Sequence, residues 1–206
     1  GITNLLIKDN ITWDDVNKQI VNSGVNSNLD LLMAGPVPPN PGELVTRKSL
    51  EETMDILKEH YDYIIIDTPP TLGNTLKLAF LFSEYLIIPL ELDSFALMGL
   101  QKLLATYQNI KKINNKLQLL GIVINKFYAQ RKRQLDLFEQ INEKTGGNGL
   151  IFNSKIHPSV AIQDALSLSC SLRQLRKKKG STDNRAINEF YALTLEVIQK
   201  LNHDKQ

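Results

Sequence analysis

Five short apolar runs constrain this chain most: Leu29–Met33, Tyr63–Ile66, Leu86–Leu90, Leu119–Ile124 and Leu150–Phe152. Each is nearly continuous in apolar residues instead of alternating with polar ones, the pattern of strands covered on both faces. Helical patterns separate them. Leu97, Leu100, Leu104, Tyr107 and Ile110 recur at helical spacing, and so do Ile187, Phe190, Thr194, Val197 and Leu201. Ser49 and Glu52 have capping-box spacing, which predicts a helix starting near Leu50. The alternation predicts an α/β fold, a mostly parallel sheet with helices on both faces. The Pro-rich stretch Pro36–Gly42 can continue neither a helix nor a central strand and reads as a loop.

Composition removes several function classes. At 206 residues, 42% hydrophobic and 22% charged, the chain has the material for one globular core. Its single cysteine, Cys170, excludes an intramolecular disulfide and a Cys-rich metal site, and a reducing cytoplasm is expected. No apolar run approaches the roughly 18 residues of a membrane-spanning helix, and no signal-peptide pattern is visible. The net charge of +2 conceals an asymmetry: residues 1–100 hold 6 basic and 14 acidic side chains, residues 101–206 hold 18 and 8. A basic half suits a polyanionic partner, although charges on solvated helix faces need not balance by segment.

The stretch Tyr61-Asp-Tyr-Ile-Ile-Ile-Asp-Thr-Pro-Pro70 carries the chemistry. Its apolar run ends abruptly at Asp67, and ligands of open α/β sheets sit outside the carboxyl ends of strands. A carboxylate in that place is the Walker B arrangement, which holds Mg²⁺ beside nucleotide phosphates. Thr68, Pro69 and Pro70 begin a stiff loop whose geometry could respond to a γ-phosphate. The plainer reading is an Asp that caps the next turn or helix.

Asp67-Thr-Pro-Pro-Thr-Leu-Gly73, Tyr85-Leu-Ile-Ile-Pro89 and Ser94-Phe-Ala-Leu-Met-Gly-Leu100 together resemble the ParA/MinD family of partition ATPases. The similarity continues through Leu120-Gly-Ile-Val-Ile-Asn125, Ile156-His-Pro-Ser-Val-Ala-Ile-Gln-Asp-Ala165 and Asn184-Arg-Ala186. The first third, including Gly1–Leu6 and Leu29–Leu44, is also similar to bacterial tyrosine kinases of capsule and exopolysaccharide export. The stretch after Asn125 and the tyrosine-free Leu201–Gln206 favour the ParA side.

The resemblance implies a P-loop NTPase fold of the deviant Walker A type, binding ATP and Mg²⁺. Yet the sequence contains no Gly-x-x-x-x-Gly-Lys-Ser/Thr; Gly146-Gly-Asn-Gly149 is its Gly-rich cluster and no Lys-Ser/Thr follows. Residues 1–206 are therefore expected to form a single ATPase domain that is N-terminally incomplete, missing the first strand, P-loop and first helix. As written, the chain is expected not to hydrolyse ATP. A natural pseudo-ATPase that only binds DNA or a partner is the alternative.

Residue by residue, the resemblance places Asp67 in the Walker B role toward Mg²⁺, with Thr68 and Pro69 beside the phosphates. Asn125 and Lys126, with His157 and Pro158, would shape the base pocket, since an amide offers both donor and acceptor to an adenine edge. Asn125 can equally start a turn, and His157 can equally be a loop histidine. Two basic clusters, Arg131, Lys132 and Arg133, then Arg173, Arg176, Lys177, Lys178 and Lys179, together with Arg185, would contact non-specific double-stranded DNA through its phosphates. The implied assembly is an ATP-bound homodimer, cytoplasmic and nucleoid-associated, with a ParB-like centromere-binding partner. Solvated flexible cations are the plain reading of both clusters.

Overall fold

The computed structural model describes residues 1–36, 47–69, 71–147, 149–179 and 184–203; at 47 and 177–179 only the backbone is described. Most of the expected Pro-rich loop 36–42, and Pro70, lie outside the described residues. The chain divides into two compact units, Gly1–Phe82 and Ser83–Gln206.

The first unit contains α1 (Ile2–Leu6), α2 (Trp13–Asn17), β1 (Ile20–Asn22), β2 (Asp30–Leu32), α3 (Arg47–His60) and α4 (Asn74–Phe82). Thr12 caps α2: its hydroxyl accepts from the Asp15 N–H, and the Asp15 carboxylate accepts from the Thr12 N–H, a reciprocal capping box. Leu5, Ile11, Val16, Met54 and Leu57 form the core, with Tyr61 and Ile64 packed at its margin. The Asp30 carboxylate accepts from Tyr61 Oη at 2.8 Å and from Asn22 Nδ2 at 3.1 Å, which ties the hairpin to the end of α3.

Three expectations are corrected in this unit. Leu29–Met33 was expected to be a covered parallel strand; instead β2 pairs antiparallel with β1, with Leu29, Leu31 and Met33 exposed. The cause is local: Asn22, Ser23 and Asn26 bond the 22–28 turn with Gly24 at φ +68°, and this short hairpin brings Ile20–Asn22 alongside. Ser49 lies inside α3 instead of capping it, because the helix already runs from Arg47; the Ser49 carbonyl accepts from Thr53 Oγ1 at 2.8 Å. The third correction is the largest. Tyr63–Ile66 forms no strand, and Ile65 is 90% exposed and Tyr63 66%. No described strand pairs with its backbone.

The second unit contains β3 (Tyr85–Glu91), α5 (Ala96–Lys111), β4 (Gln118–Asn125), α6 (Lys132–Lys144), α7 (Val160–Ser167), α8 (Leu172–Lys179) and α9 (Arg185–His203). β3 and β4 are parallel, joined through α5 as a β–α–β unit. On one face Ile122 and Ile124 pack with Ile88, Leu100, Phe127 and Ile141; on the other Leu120, Val123, Phe152 and Ile156 meet Leu193, Val197 and Leu201 of α9. β4 is thus covered on both faces, as its unbroken apolar run predicts. Ladder register shifts between Leu86 and Ile87, opposite Leu119 and Gly121. A Cβ on Gly121 would lie 2.7 Å from the Leu150 carbonyl oxygen and 2.6 Å from the Phe152 ring. Glycine here admits the close pass of 150–152.

That pass is briefer than the expected strand Leu150–Phe152. It is one parallel bridge, Ile122 to Ile151, with the Ile122 N–H donating to Leu150 and the Phe152 N–H to Ile122. The next donors turn away from β4, because the N–H groups of Asn153 and Ser154 both donate to the Glu196 carboxylate of α9, at 2.7 and 2.9 Å.

Candidate functional site

The parallel pair places Glu91 and Asn125 opposite each other at the carboxyl ends of β3 and β4, where α/β sheets bind ligands. Lys126 follows with φ +51°, a left-handed turn. Its Nζ lies 2.7 Å from Glu91 Oε1, and that carboxylate pushes the ammonium pKa upward. The next residue joins a second loop: the Phe127 N–H donates to the Ile156 carbonyl and the Ile156 N–H to the Ile124 carbonyl, both at 3.0 Å. Asn125–Lys126 and His157–Pro158, paired only by resemblance in the sequence, therefore stand on adjoining, hydrogen-bonded segments.

Helix α9 fixes the second segment. Glu189 accepts from the His157 backbone N–H at 3.0 Å, and its other oxygen lies 2.8 Å from His157 Nδ1. Arg185 closes the group, with Nε 3.2 Å from Glu189 and Nη2 donating to the Pro158 carbonyl. The His157 ring meets Phe127 edge-on at 5.7 Å. Glu91 and Glu189 went unnoticed in the sequence. Glu189 had a signal, its i, i+4 spacing from Arg185; Glu91 had one in its place at a strand end.

The other candidates are placed separately. Asp67 and Pro69 are exposed in the first unit, Thr68 half-buried, and the backbone from 62 to 69 makes no hydrogen bond to another described residue. Arg131 stands at the N-terminal boundary of α6 without a capping side-chain bond and lies over the Tyr128 ring at 3.7 Å; Lys132 begins the helix, and Arg133 Nη2 donates to Ser94 Oγ at 2.7 Å. Arg173 and Arg176 are exposed on α8, whose backbone also carries Lys177, Lys178 and Lys179. Arg173 borders an apolar cleft of about 360 Å³ between α8 and α9, lined by Leu172, Ile187, Phe190 and Tyr191. None of the proposed nucleotide residues lines it.

These residues do not fit Mg²⁺–ATP by themselves. The sequence offers no Gly-rich loop with lysine to cradle phosphates. Among the described residues no three His, Cys, Asp or Glu side chains gather as a metal site.

An AAA domain family, AAA_31, matches residues 3–119. The chain belongs to this family. Within it, the relatives are of the ParA/MinD group. Protein IncC of Escherichia coli is 28% identical over 154 residues, 73% of this chain and 42% of its own length. The virulence plasmid ParA family protein pGP5-D of Chlamydia psittaci is 32% identical over 154 residues, 73% of this chain and 54% of its own. A putative plasmid partition protein from Borrelia burgdorferi, solved with AMPPNP, superposes at TM-score 0.70 and 22% identity over 97% of this chain and 74% of that one. The α/β P-loop NTPase type of fold is therefore the family's. A tyrosine-kinase likeness also exists: the putative tyrosine-protein kinase CapB of Staphylococcus aureus is 40% identical over 70 residues, 34% of this chain and 28% of its own. This AAA-domain chain spans about half the length of the curated relatives it matches.

Among the described residues, no helix is long and apolar enough to cross a membrane.

Proposed function

We propose that this chain is part of a ParA-type partition ATPase. In the longer protein it works with ATP and Mg²⁺ as a nucleotide-dependent dimer on non-specific double-stranded DNA, in the cytoplasm at the nucleoid, beside a ParB-like centromere-binding partner. Residues 1–206 are one incomplete ATPase domain in this reading. The observation that carries it is the hydrogen-bonded join of 124–127 to 156–158, which sets Asn125 and His157 together at the strand ends. An amide and a loop backbone in that place can read an adenine edge. In the longer protein, Asn125→Ala should weaken ATP binding about tenfold, the worth of one well-made hydrogen bond, and narrow its preference over GTP. Unchanged affinity and preference in an equilibrium titration refute the base-pocket role.

DNA contact rests on the cations. Arg173 and Arg176 are exposed, whereas Arg133, Arg131 and Arg185 each already hold an intramolecular partner. The α8 cluster is therefore the primary phosphate contact. Charge reversal at Arg173, Arg176 and Lys177 to Glu should abolish binding to unrelated duplexes at low salt and flatten the salt dependence. Reversal at Arg185 should instead disturb the His157 loop.

A second reading, a protein-tyrosine kinase of capsule export, is favoured by the CapB likeness alone. Autophosphorylation on tyrosine by the longer protein would select it.

A further inference from the structure

Glu189 gathers three donors. One carboxylate oxygen accepts from the His157 main-chain N–H at 3.0 Å; the other lies 2.8 Å from His157 Nδ1 and 3.2 Å from Arg185 Nε. A carboxylate beside a guanidinium only accepts, so a lone pair on Nδ1 at that distance would face another lone pair. Nδ1 therefore carries the proton. Arg185 already supplies the positive charge of the group, and the imidazole serves it as a hydrogen-bond donor. In the neutral ring this leaves Nε2 unprotonated, an acceptor, and it makes no hydrogen bond to another described residue. Phe127 meets the ring edge-on at 5.7 Å, yet the His157 side chain keeps 30% of its exposure.

We infer that His157 is a specificity-determining residue whose Nε2 accepts a hydrogen bond from the exocyclic amine of a purine base, and that Glu189 is the positioning residue that sets this polarity through Nδ1. The ring stands on the segment bonded to 124–127, beside that of Asn125 at the carboxyl ends of the strands. Adenine offers its N6 amine where guanine offers the O6 oxygen. An acceptor nitrogen bonds the first and repels the second, and a site whose polar group is left unpaired rejects the wrong ligand strongly. With Nδ1 unprotonated the same ring would present an Nε2–H and favour guanine. The choice of base is thus set from α9, 32 residues along the chain from the ring it controls. The base contact rests on the nucleotide reading proposed above; the tautomer does not.

Nitrogen-15 NMR of the histidine-labelled 206-residue chain, with the imidazoles neutral, reads the tautomer; His157→Asn identifies its signal among the three histidines. Nδ1 should show the protonated, pyrrole-type shift and Nε2 the pyridine type. The reverse pattern, or an averaged mixture of the two, overturns the inference. Glu189→Ala should release the ring to the Nε2–H form or to a mixture, while the amides of Ile122 and Ile124 keep their protection against exchange. An unchanged tautomer in that variant refutes Glu189 as its cause. Glu189→Gln, nearly isosteric, decides the matter where the Ala variant unfolds. With one oxygen it cannot hold both the ring and the main-chain N–H, so either the tautomer or the protection of the His157 amide is lost; retention of both overturns the positioning role. In the longer protein, Glu189→Ala should narrow the preference for ATP over GTP about tenfold in an equilibrium titration, whereas Asn125→Ala leaves the tautomer as in the parent. A preference that Glu189→Ala does not move overturns the specificity role. Failure of the longer protein to bind either nucleotide would refute the nucleotide reading and the base contact with it, and leave the tautomer result standing.

Discussion

Two runs of this chain are nearly the same in composition and opposite in fate. Gly121-Ile-Val-Ile-Asn125 in the second unit is paired on one side by β3 and on the other by Ile151, and Ile122 and Ile124 are 0% exposed. Tyr63-Ile-Ile-Ile-Asp67 in the first unit has no ladder with any described residue, and Ile65 is 90% exposed. Local apolarity is therefore not what buries a parallel strand. Neighbours on two edges and layers on two faces do that, and they come from distant sequence.

Truncation measures the difference directly. Ile124→Ala should destabilise the 206-residue chain by about 3 kcal/mol, the cost of lost contacts plus the cavity left among Leu100, Phe127 and Ile141. Ile65→Ala should change stability by less than about 0.5 kcal/mol, as an exposed substitution does. Urea unfolding monitored at each unit gives both values. Equal losses would mean that Ile65 is covered in solution, and the contrast between the runs would vanish.

A smaller effect sharpens why β4 is so well enclosed. Gly121→Ala places a methyl against the Leu150 carbonyl oxygen and the edge of the buried Phe152 ring, so backbone or ring must shift to admit it. The expected cost is about 2 kcal/mol from overpacking. Loss of the Ile122 to Ile151 bridge, read as faster exchange of the Ile122 amide, should accompany it. An Ala variant as stable as the parent would show that 150–152 is held by other contacts.

How far the sequence could be read follows the same division. The β3–α5–β4 unit and α9 were legible, because unbroken apolar runs and a 3.6-residue period report directly on coverage that the chain itself supplies. Leu29–Met33 misled because Asn22, Ser23 and Gly24 make a local hairpin that periodicity does not report. Tyr63–Ile66 misled because pattern records what a segment needs, and its partners are not among the described residues. At the candidate site, Asn125 and His157 were named through motif resemblance, and the structure shows that their segments adjoin. The carboxylate that holds His157 was not, since Glu189 lies 32 residues away and reaches it only through the packing of α9. Arg185 shows the converse: its charge suggested DNA, while its geometry ties it to Glu189 and Pro158.

The smallest effect separates two carboxylates, one in each unit. Asp15 sits on the surface of the first, where the Lys8 ammonium and then the Thr12 hydroxyl and N–H hold its pKa down to about 2. Glu196 in the second unit is pushed up by partial burial, but the N–H groups of Asn153 and Ser154 and the nearby Lys200 outweigh this and leave it lowered. Both folded values lie below the unfolded ones, so both groups stabilise the fold above the ordinary carboxylate range. That stability is lost as pH falls through each folded value. The roles differ even so. Asp15 is neutralised near pH 2, and its pairing with Lys8 is screened by salt. Glu196 accepts two main-chain donors that would otherwise continue toward β4. Glu196→Gln should therefore lower Tm at pH 7 by about 3 °C, with little dependence on salt. The difference from the parent should shrink as the pH falls from the normal glutamate range through the lowered folded value, below which the parent's carboxylate is itself protonated. A difference that stayed constant from pH 7 to pH 2 would assign the loss to shape, and leave the charge of Glu196 without a part in holding 153–154.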